Sequence, residues 1–361
     1  MQPEINDPSR GVTNSGRVSV IIPARNEEAN IERVVRSVAG QSGTLEILVI
    51  DDQSKDRTGE ILEQLQKEFA QLRVLRTESL PPAWTGKAHA VATGARVASG
   101  EWLLFTDADT EHLPGSLAEL LARAENENID LLSVSPSQET PTVWEKAVIP
   151  LIYVDLATKF RYEEVSDPGS EAAAANGQYI LIRREVYEQA GGHAAVKGDV
   201  LEDVALARRV KMNGGRLLFL PGAQWVRTRM YRTFAEMWDG WTKNLFLLYG
   251  RKVAAILKRS AALWFFDVLP AVAFVIFSFA VVFGRGAPAV LAAVGCFLVA
   301  LGRQWSYSRA LRRIGFEPTL ASYQIPGAAI LGILLLNSVR VYLMAGQVNW
   351  KGREYSTKDH S

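Results

Sequence analysis

Apolar residues follow two different rhythms along this chain of 361 residues. Up to position 250, short apolar runs alternate with stretches in which apolar residues recur every three or four positions; from position 261 onward long apolar runs dominate. The run Val18 to Ile22 in RVSVIIPARNEE reads as a buried strand broken at Pro23, and Ile31, Val34, Val35 and Val38 then fall at helical spacing. LEILVIDDQSKDRT repeats the scheme, with a strand from Leu45 to Ile50, a polar turn, and a helix through Ile61, Leu62 and Leu65. LRVLRT predicts a third strand, GKAHAVATGARVAS a helix after a glycine-containing loop, and EWLLFTDAD a fourth strand. Strands alternating with helices predict an α/β fold, a mostly parallel sheet with helices on both faces. Ligands bind such sheets beyond the C-terminal strand ends, and PARNE, DDQS and DAD all fall there.

The second rhythm predicts membrane segments. A bilayer span needs about 20 apolar residues; the stretch at about 262–284 is long enough, 287–302 is shorter but follows closely enough to form a hairpin with it, and 326–346 is a third candidate. Arg251, Lys252, Lys258 and Arg259 precede the first, and Arg303, Arg309, Arg312 and Arg313 follow the second; the hairpin tip has only Arg285. This bias puts the preceding domain and the 303–325 loop in the cytoplasm of a multi-pass protein of the cell membrane. Residues 142–162, containing TVWEKAVIPLIYVDLATKF, are apolar but broken by Pro150 and charges. They read either as a core helix or as an amphipathic helix at the membrane surface. The expected organisation is a polar, disordered tail over 1–16, a catalytic domain over 17–250 and a membrane region over 251–361.

Charge and cysteine content remove several classes. Lys plus Arg is 40 against 39 Asp plus Glu, so nothing marks the chain for nucleic acid, and the one cysteine, Cys296, excludes a disulfide framework or a cysteine-rich metal site. There is neither a G-x-x-x-x-G-K-[ST] loop nor a G-x-G-x-x-G fingerprint.

Acidic residues at the strand ends carry the candidate chemistry. Asp107 and Asp109 close an apolar strand; two such carboxylates suit a hard cation, Mg²⁺ or Mn²⁺, that completes its shell with phosphates. The same spacing also occurs in a solvated turn. Asp51 and Asp52 end the second strand, where acids accept hydrogen bonds from ribose hydroxyls or a base N–H. Pro23, Arg25 and Asn26 end the first. Lys87 opens a helix, so its ammonium and the helix N-terminus can both face phosphates. A nucleoside diphosphate fits this set. In GDVLEDVALARRVKMNGG, Val204, Ala207 and Val210 form the apolar stripe of a helix whose first turn holds Glu202 and Asp203. Such acids stabilise a helix N-terminus or serve as a general base.

In this order, VIIPARNEE, VIDDQSKDRT, GKAHAVATG, LLFTDAD, ANGQYILIRREVYEQAGG and LEDVALARRVK resemble family 2 glycosyltransferases with the nucleotide-diphospho-sugar transferase fold called GT-A, over about residues 17–250. PPAWTGKAHA, VWEKAVIP and the C-terminal spans resemble the branch with hopanoid-associated and carotenoid glycosyltransferases. The resemblance implies that Pro23, Arg25, Asn26 and Glu27 border the nucleotide and that Asp51 or Asp52 contacts base and ribose. It puts Lys87 near the diphosphate and makes Asp107 and Asp109 the metal-binding acids, with Asp109 the direct ligand. Asn176 and Gly177 then shape the donor-sugar and acceptor pocket, and Asp203, beside Glu202, is the catalytic base. The implied activity is an inverting, metal-dependent transfer from a nucleotide sugar, taken as a UDP-sugar, to a lipid or polyisoprenoid acceptor.

Processive members carry a Q-x-x-R-W signature. Here RTRMYRTFAEMWDGW keeps Arg229 and Arg232, placed to stabilise the leaving diphosphate, but Thr233 replaces the tryptophan, which favours a single transfer. A processive polysaccharide synthase, a polyprenyl-phosphate glycosyltransferase and a non-catalytic nucleotide-sugar-binding membrane protein are the alternatives. Asp267 and Arg340 fall inside expected spans, where charge is expensive and often functional. The tail VNWKGREYS resembles one expected near the cytoplasmic site, yet three full spans would put it on the other side, unless the third segment is re-entrant or 142–162 enters the bilayer.

Overall fold

The computed structural model of the chain describes residues 17–345, 347–350 and 353–356; the tail expected over 1–16 lies outside them. The alternating pattern builds β1 (Val18–Ala24), α1 (Ile31–Ala39), β2 (Thr44–Asp51), α2 (Thr58–Glu68), β3 (Leu72–Arg76), α3 (Gly86–Val97) and β4 (Trp102–Phe105). β1 continues through Pro23 instead of breaking there. Pro23 lies beyond the last β1 residue paired with β4, Ile21, so its missing N–H leaves that ladder intact. β4 in turn stops at Phe105, which puts Asp107 and Asp109 in the turn that follows.

The rest of the α/β unit comprises β5 (Thr110–His112), α4 (Ser116–Asn126), β6 (Leu131–Ser135), β7 (Ser137–Gln138), α5 (Val143–Lys159), α6 (Tyr162–Ser166), β8 (Ile180–Arg183), α7 (Arg184–Gln189), α8 (Glu202–Met212), β9 (Leu217–Pro221), β10 (Val226–Thr228) and α9 (Phe234–Leu248). Seven strands form one sheet in the order β3-β2-β1-β4-β8-β6-β9, parallel except for β8, which runs antiparallel to both neighbours. A small sheet, β5-β10-β7, sits beside it.

Strand alternation feeds two cores. Val20 and Ile22 of β1 pack with α1, α2 and α4 on one face, while Ile21 packs with α3 and α8 on the other. Helices therefore cover both faces, as the pattern predicts. In α8 the buried stripe is Leu206, Ala207 and Val210, with Val204 only half-buried. The expected stripe was off by half a turn at its start. The switch point between β1 and β4, where the sheet order reverses, places their C-terminal loops around one crevice.

A third core joins the α/β unit to the C-terminal helices. α5 starts at a reciprocal cap between Thr142 and Glu145 and is buried from Ala147 to Tyr153, Pro150 included. It packs with α9, α10 (Val253–Leu263) and α13 (Gln324–Arg340). Between them run a π-helical segment (Trp264–Val268), α11 (Leu269–Val282) and α12 (Ala287–Arg313). By length and composition three helices could cross a membrane, at 253–282, 287–313 and 318–344. β11 (Gln347–Trp350) and β12 (Arg353–Ser356) form a final hairpin, and β11 packs against α9.

The helix α3 presses closely on the sheet: a methyl at Gly94 would stand 2.6 Å from both Ile21 Cγ2 and Ile50 Cδ1. Gly94→Val is therefore expected to destabilise the α/β unit by about 1–3 kcal/mol through overpacking, read as a fall in the melting temperature of the detergent-solubilised protein. An unchanged melting temperature would show that α3 has room the packing denies.

Candidate active site

The loops after β1 and β2 are tied to each other. Asn26, at φ 52°, donates its N–H to Ser54 Oγ and accepts Lys55 N–H on Oδ1. Glu27 N–H reaches Thr58 Oγ1, and the Arg25 guanidinium holds the Asp52 carbonyl at 2.7 Å. Asp52 itself accepts the Thr77 hydroxyl at 2.7 Å. This joined rim borders one side of a cavity of about 1220 Å³.

The turn after β4 borders the next side. A buried polar network underlies it: Thr106 Oγ1 contacts Thr110 Oγ1, His112 Nε2 and the Gln178 carbonyl within 3.0 Å. Thr110 Oγ1 bonds the Asp107 carbonyl, and Thr228 Oγ1 the Asp109 carbonyl. Burial lowers His112 to about 4, so the network carries no charge of its own. The backbone of the Asp-Ala-Asp turn is thereby fixed from beneath, and both carboxylates line the cavity.

Lys87 binds these pieces together. Thr85 caps α3 by accepting Ala88 N–H, which sets Lys87 in the first turn with the helix N-terminus at the cavity wall. Its ammonium lies 2.8 Å from Asp107 Oδ1 and 3.1 Å from Glu202 Oε1. Enclosure in the protein opposes the charge, but Asp107, Glu202 and Asp203 outweigh it and hold the lysine well above its ordinary pKa. Asp203 accepts Gly177 N–H at 2.9 Å and Val204 N–H at 2.8 Å. Burial, and then repulsion by Glu202, push Asp203 up to about 6, against the pull of Lys87. Gly177 is needed here for space: a methyl on it would stand 2.7 Å from Lys87 Nζ.

Of the residues singled out from sequence, Pro23, Arg25, Asn26, Glu27, Asp52, Lys87, Asp107, Asp109, Asn176, Gly177, Glu202, Asp203 and Arg232 line this one cavity. Asp51 and Arg229 do not. Asp51 accepts Ser54 N–H and faces Arg76, holding the β2 turn. Arg229 donates to Glu145, which is 2% exposed and begins α5. Arg232 bonds the Ala29 carbonyl and Asn30 Oδ1 at the cavity rim. Thr233, where processive enzymes have tryptophan, caps α9 through a reciprocal pair with Glu236.

Two lining residues escaped the sequence reading. Tyr153 of α5 and Tyr231 are buried, and both phenols are pushed up by burial first and then by charges that include Asp109. They stay neutral beside the acids. Tyr231 lies inside the R-x-x-R stretch, which is the one signal available for it. Apolar side chains of Leu156, Phe160, Trp238, Trp241, Phe316 and Leu320 also border the cavity, among the polar and charged Glu236, Asp239, Lys243, Glu317 and Arg340. Most of these apolar residues belong to the third core.

A doubly covered sheet with a polar crevice at its switch point, built of acids and one lysine, has the GT-A architecture. The overall structure is similar to that of a mannosyltransferase from Pyrobaculum calidifontis solved with GDP-Man and Mn²⁺, at a TM-score of 0.51 and 18% identity, covering 92% of this chain and 88% of that one. The family described as Glycosyl transferase family 2 matches residues 19–191. Residues 19–191 are thus similar to a family 2 glycosyltransferase domain. It is 27% identical over 244 residues to a 4,4'-diaponeurosporenoate glycosyltransferase of Staphylococcus haemolyticus (strain JCSC1435) and 28% identical over 265 residues to that of Staphylococcus aureus (strain USA300). The matches take in 66% and 72% of this chain, and 64% and 68% of the relatives' own lengths.

The two arginines should separate cleanly on mutation. Arg229→Ala leaves the buried Glu145 carboxylate without its cation and is expected to cost roughly 3 kcal/mol of stability, read by thermal unfolding, with nucleotide-sugar affinity of the folded fraction unchanged. Arg232→Ala should do the reverse, keeping the melting temperature and weakening donor binding. The opposite pattern would return Arg229 to the ligand site.

Proposed function

We propose that the protein transfers one sugar, with inversion, from a nucleoside-diphosphate donor to a carotenoid-like lipid at the membrane surface. The observation that carries this reading is that Asp52, Asp109 and Asp203, from separate chain segments, border one cavity that apolar side chains such as Leu156, Phe160 and Trp241 also line. The curated relatives, by their names, act on diaponeurosporenoate.

In this reading the nucleoside, taken as uridine, occupies the rim of Pro23, Arg25, Asn26, Glu27 and Asp52. The diphosphate lies between the Asp-Ala-Asp turn, Lys87 and Arg232. Asn176 and Gly177 border the sugar, and the lipid lies along the apolar side chains.

The Asp-Ala-Asp turn fits a hard divalent cation. Asp107, Glu202 and Asp203 already gather about one ammonium, so the acids outnumber the nearby positive charge. Among the described residues no three His, Cys, Asp or Glu side chains form a ready metal cage. That suits Mg²⁺ or Mn²⁺, which take one or two carboxylates and leave positions for phosphate. When bound through Asp109 and Asp107, the cation supplies charge to offset the departing diphosphate. Lys87, anchored by Asp107 and Glu202, holds a second positive charge at the same place without reorganising. Where the acceptor presents a hydroxyl, Asp203 takes its proton as that oxygen attacks the anomeric carbon from the face opposite the leaving group; a carboxylate acceptor, as in the relatives' names, attacks already ionised. Glu202 raises the proton affinity of Asp203 and fixes Lys87. The basic residues flanking the apolar hairpin support the cytoplasmic side for this chemistry.

Three outcomes test the account. Asp203→Asn is expected to lower turnover by about 10²–10⁴-fold while nucleotide-sugar binding, measured by calorimetry, survives. If the variant keeps most of its activity, the acceptor is an already ionised carboxylate that needs no base. The wild-type kcat/KM should be full above pH 7 and fall as pH drops through about 6, where Asp203 takes up its proton; a profile flat down to pH 5 contradicts the assignment. EDTA should abolish transfer and added Mg²⁺ or Mn²⁺ restore it, whereas full activity in EDTA removes the cation from the reaction.

A further inference from the structure

Three apolar helices predict three crossings, but they do not share one environment. Residues of the π-helical segment, α11 and α12 stand open: Phe265 is 65%, Ile276 59%, Phe279 61%, Leu291 73% and Leu298 59% exposed. In α13, by contrast, Ala328, Leu331, Leu334 and Leu335 are fully buried. Within the apolar window of the third helix 39% is buried inside the protein, against 11% for each of the other two.

The partners differ as well. α11 and α12 pack on each other, whereas α13 packs on α5, α9 and α10, the helices of the third core, and meets the hairpin at its base, the π-helical segment. A methyl at Gly327 would stand 2.0 Å from the Ala147 carbonyl oxygen, so α13 and α5 meet backbone to backbone. Asn337 donates to Thr242 of α9, and the Tyr342 hydroxyl to the Lys243 carbonyl.

Both ends of the third segment reach the same cavity. Glu317 and Leu320 border it before α13, and Asn337 and Arg340 border it at the C-terminal end. A crossing helix would carry one end about 30 Å away, to the other side of the hydrocarbon layer. The C-terminal strand β11 then returns to α9, whose Trp238 and Trp241 also border the cavity.

The hairpin alone meets the demands of a bilayer. At about 1.5 Å per residue, 264–284 extends about 30 Å, the thickness of the hydrocarbon layer. At its base Asp267 is neutralised by Arg303, at 2.8 and 3.2 Å, and accepts Gln324 Nε2 at 2.9 Å. Trp305, 63% exposed beneath Arg309, sits at the level expected of an interfacial anchor.

We propose that the chain crosses the membrane twice: residues 264–305 form the inserted hairpin, and α13 lies against the catalytic unit at the lipid surface, walling the cavity. The segment after α13 then stays on the catalytic side. Arg340 is the guanidinium of a cavity wall, bonded to Asn337, and not a charge inside the bilayer.

Single cysteines in a Cys296→Ser background test this without reference to activity. Glu60→Cys marks the catalytic unit, Arg285→Cys the hairpin tip, and Met344→Cys the end of the third segment. In intact cells and in inverted membrane vesicles, a membrane-impermeant maleimide is expected to label position 344 together with position 60, and position 285 from the opposite side. Labelling of 344 together with 285 would restore the third crossing and overturn the proposal, whatever the enzyme's substrate.

Discussion

One ammonium among several carboxylates organises the centre of this molecule. Lys87 comes from the first turn of α3, Asp107 from the turn after β4, and Glu202 and Asp203 from the first turn of α8. Without the lysine, acids from two other segments would repel each other across a partly enclosed crevice, where like charges interact far more strongly than in water. With it, three elements are pinned to one point. Gly177 approaches that point so closely that a methyl on it would displace the Lys87 ammonium, and its N–H holds Asp203. The charge balance still leaves the acids in excess, which in the proposed reading gives a divalent cation its place beside an anionic diphosphate.

Around that point the cavity is built from two sources. The rim of Arg25, Asn26 and Asp52 is polar and built from strand-end loops, whereas α5, α9 and the segments flanking α13 add apolar side chains such as Leu156, Phe160, Trp241 and Leu320 among charged ones such as Asp239, Lys243 and Arg340. Tyr153 and Tyr231 keep neutral phenols beside Asp109. The third core makes these apolar contributions a property of the fold, because the same helices that bury α13 supply them.

Much of this was legible from the chain. The alternation of Val20, Ile21 and Ile22 between two cores is a period-two signal, and the strand-end acids follow from the rule that such sheets bind ligands at their C-terminal edge. Asp51 and Asp52 could not be told apart, because neighbouring strand residues point to opposite faces and the register at the end of β2 decides which one meets the crevice. Arg229 was misplaced for a similar reason: its spacing from Arg232 says nothing of Glu145, 84 residues away, which claims it. The third apolar helix looks like a span because hydropathy measures how apolar a segment is, not what covers it. Ala328, Leu331 and Leu335 would be as content against α5 and α9 as against lipid.

The most direct test of the central claim is anomalous diffraction from crystals of the full-length protein grown with Mn²⁺ and a non-hydrolysable nucleotide-sugar analogue. The account predicts a manganese peak at the Asp107–Asp109 turn, with the diphosphate between it and Lys87 and the sugar toward Asp203. A nucleotide bound away from that turn, or bound there with no metal peak and with Lys87 still held between Asp107 and Glu202, would contradict it.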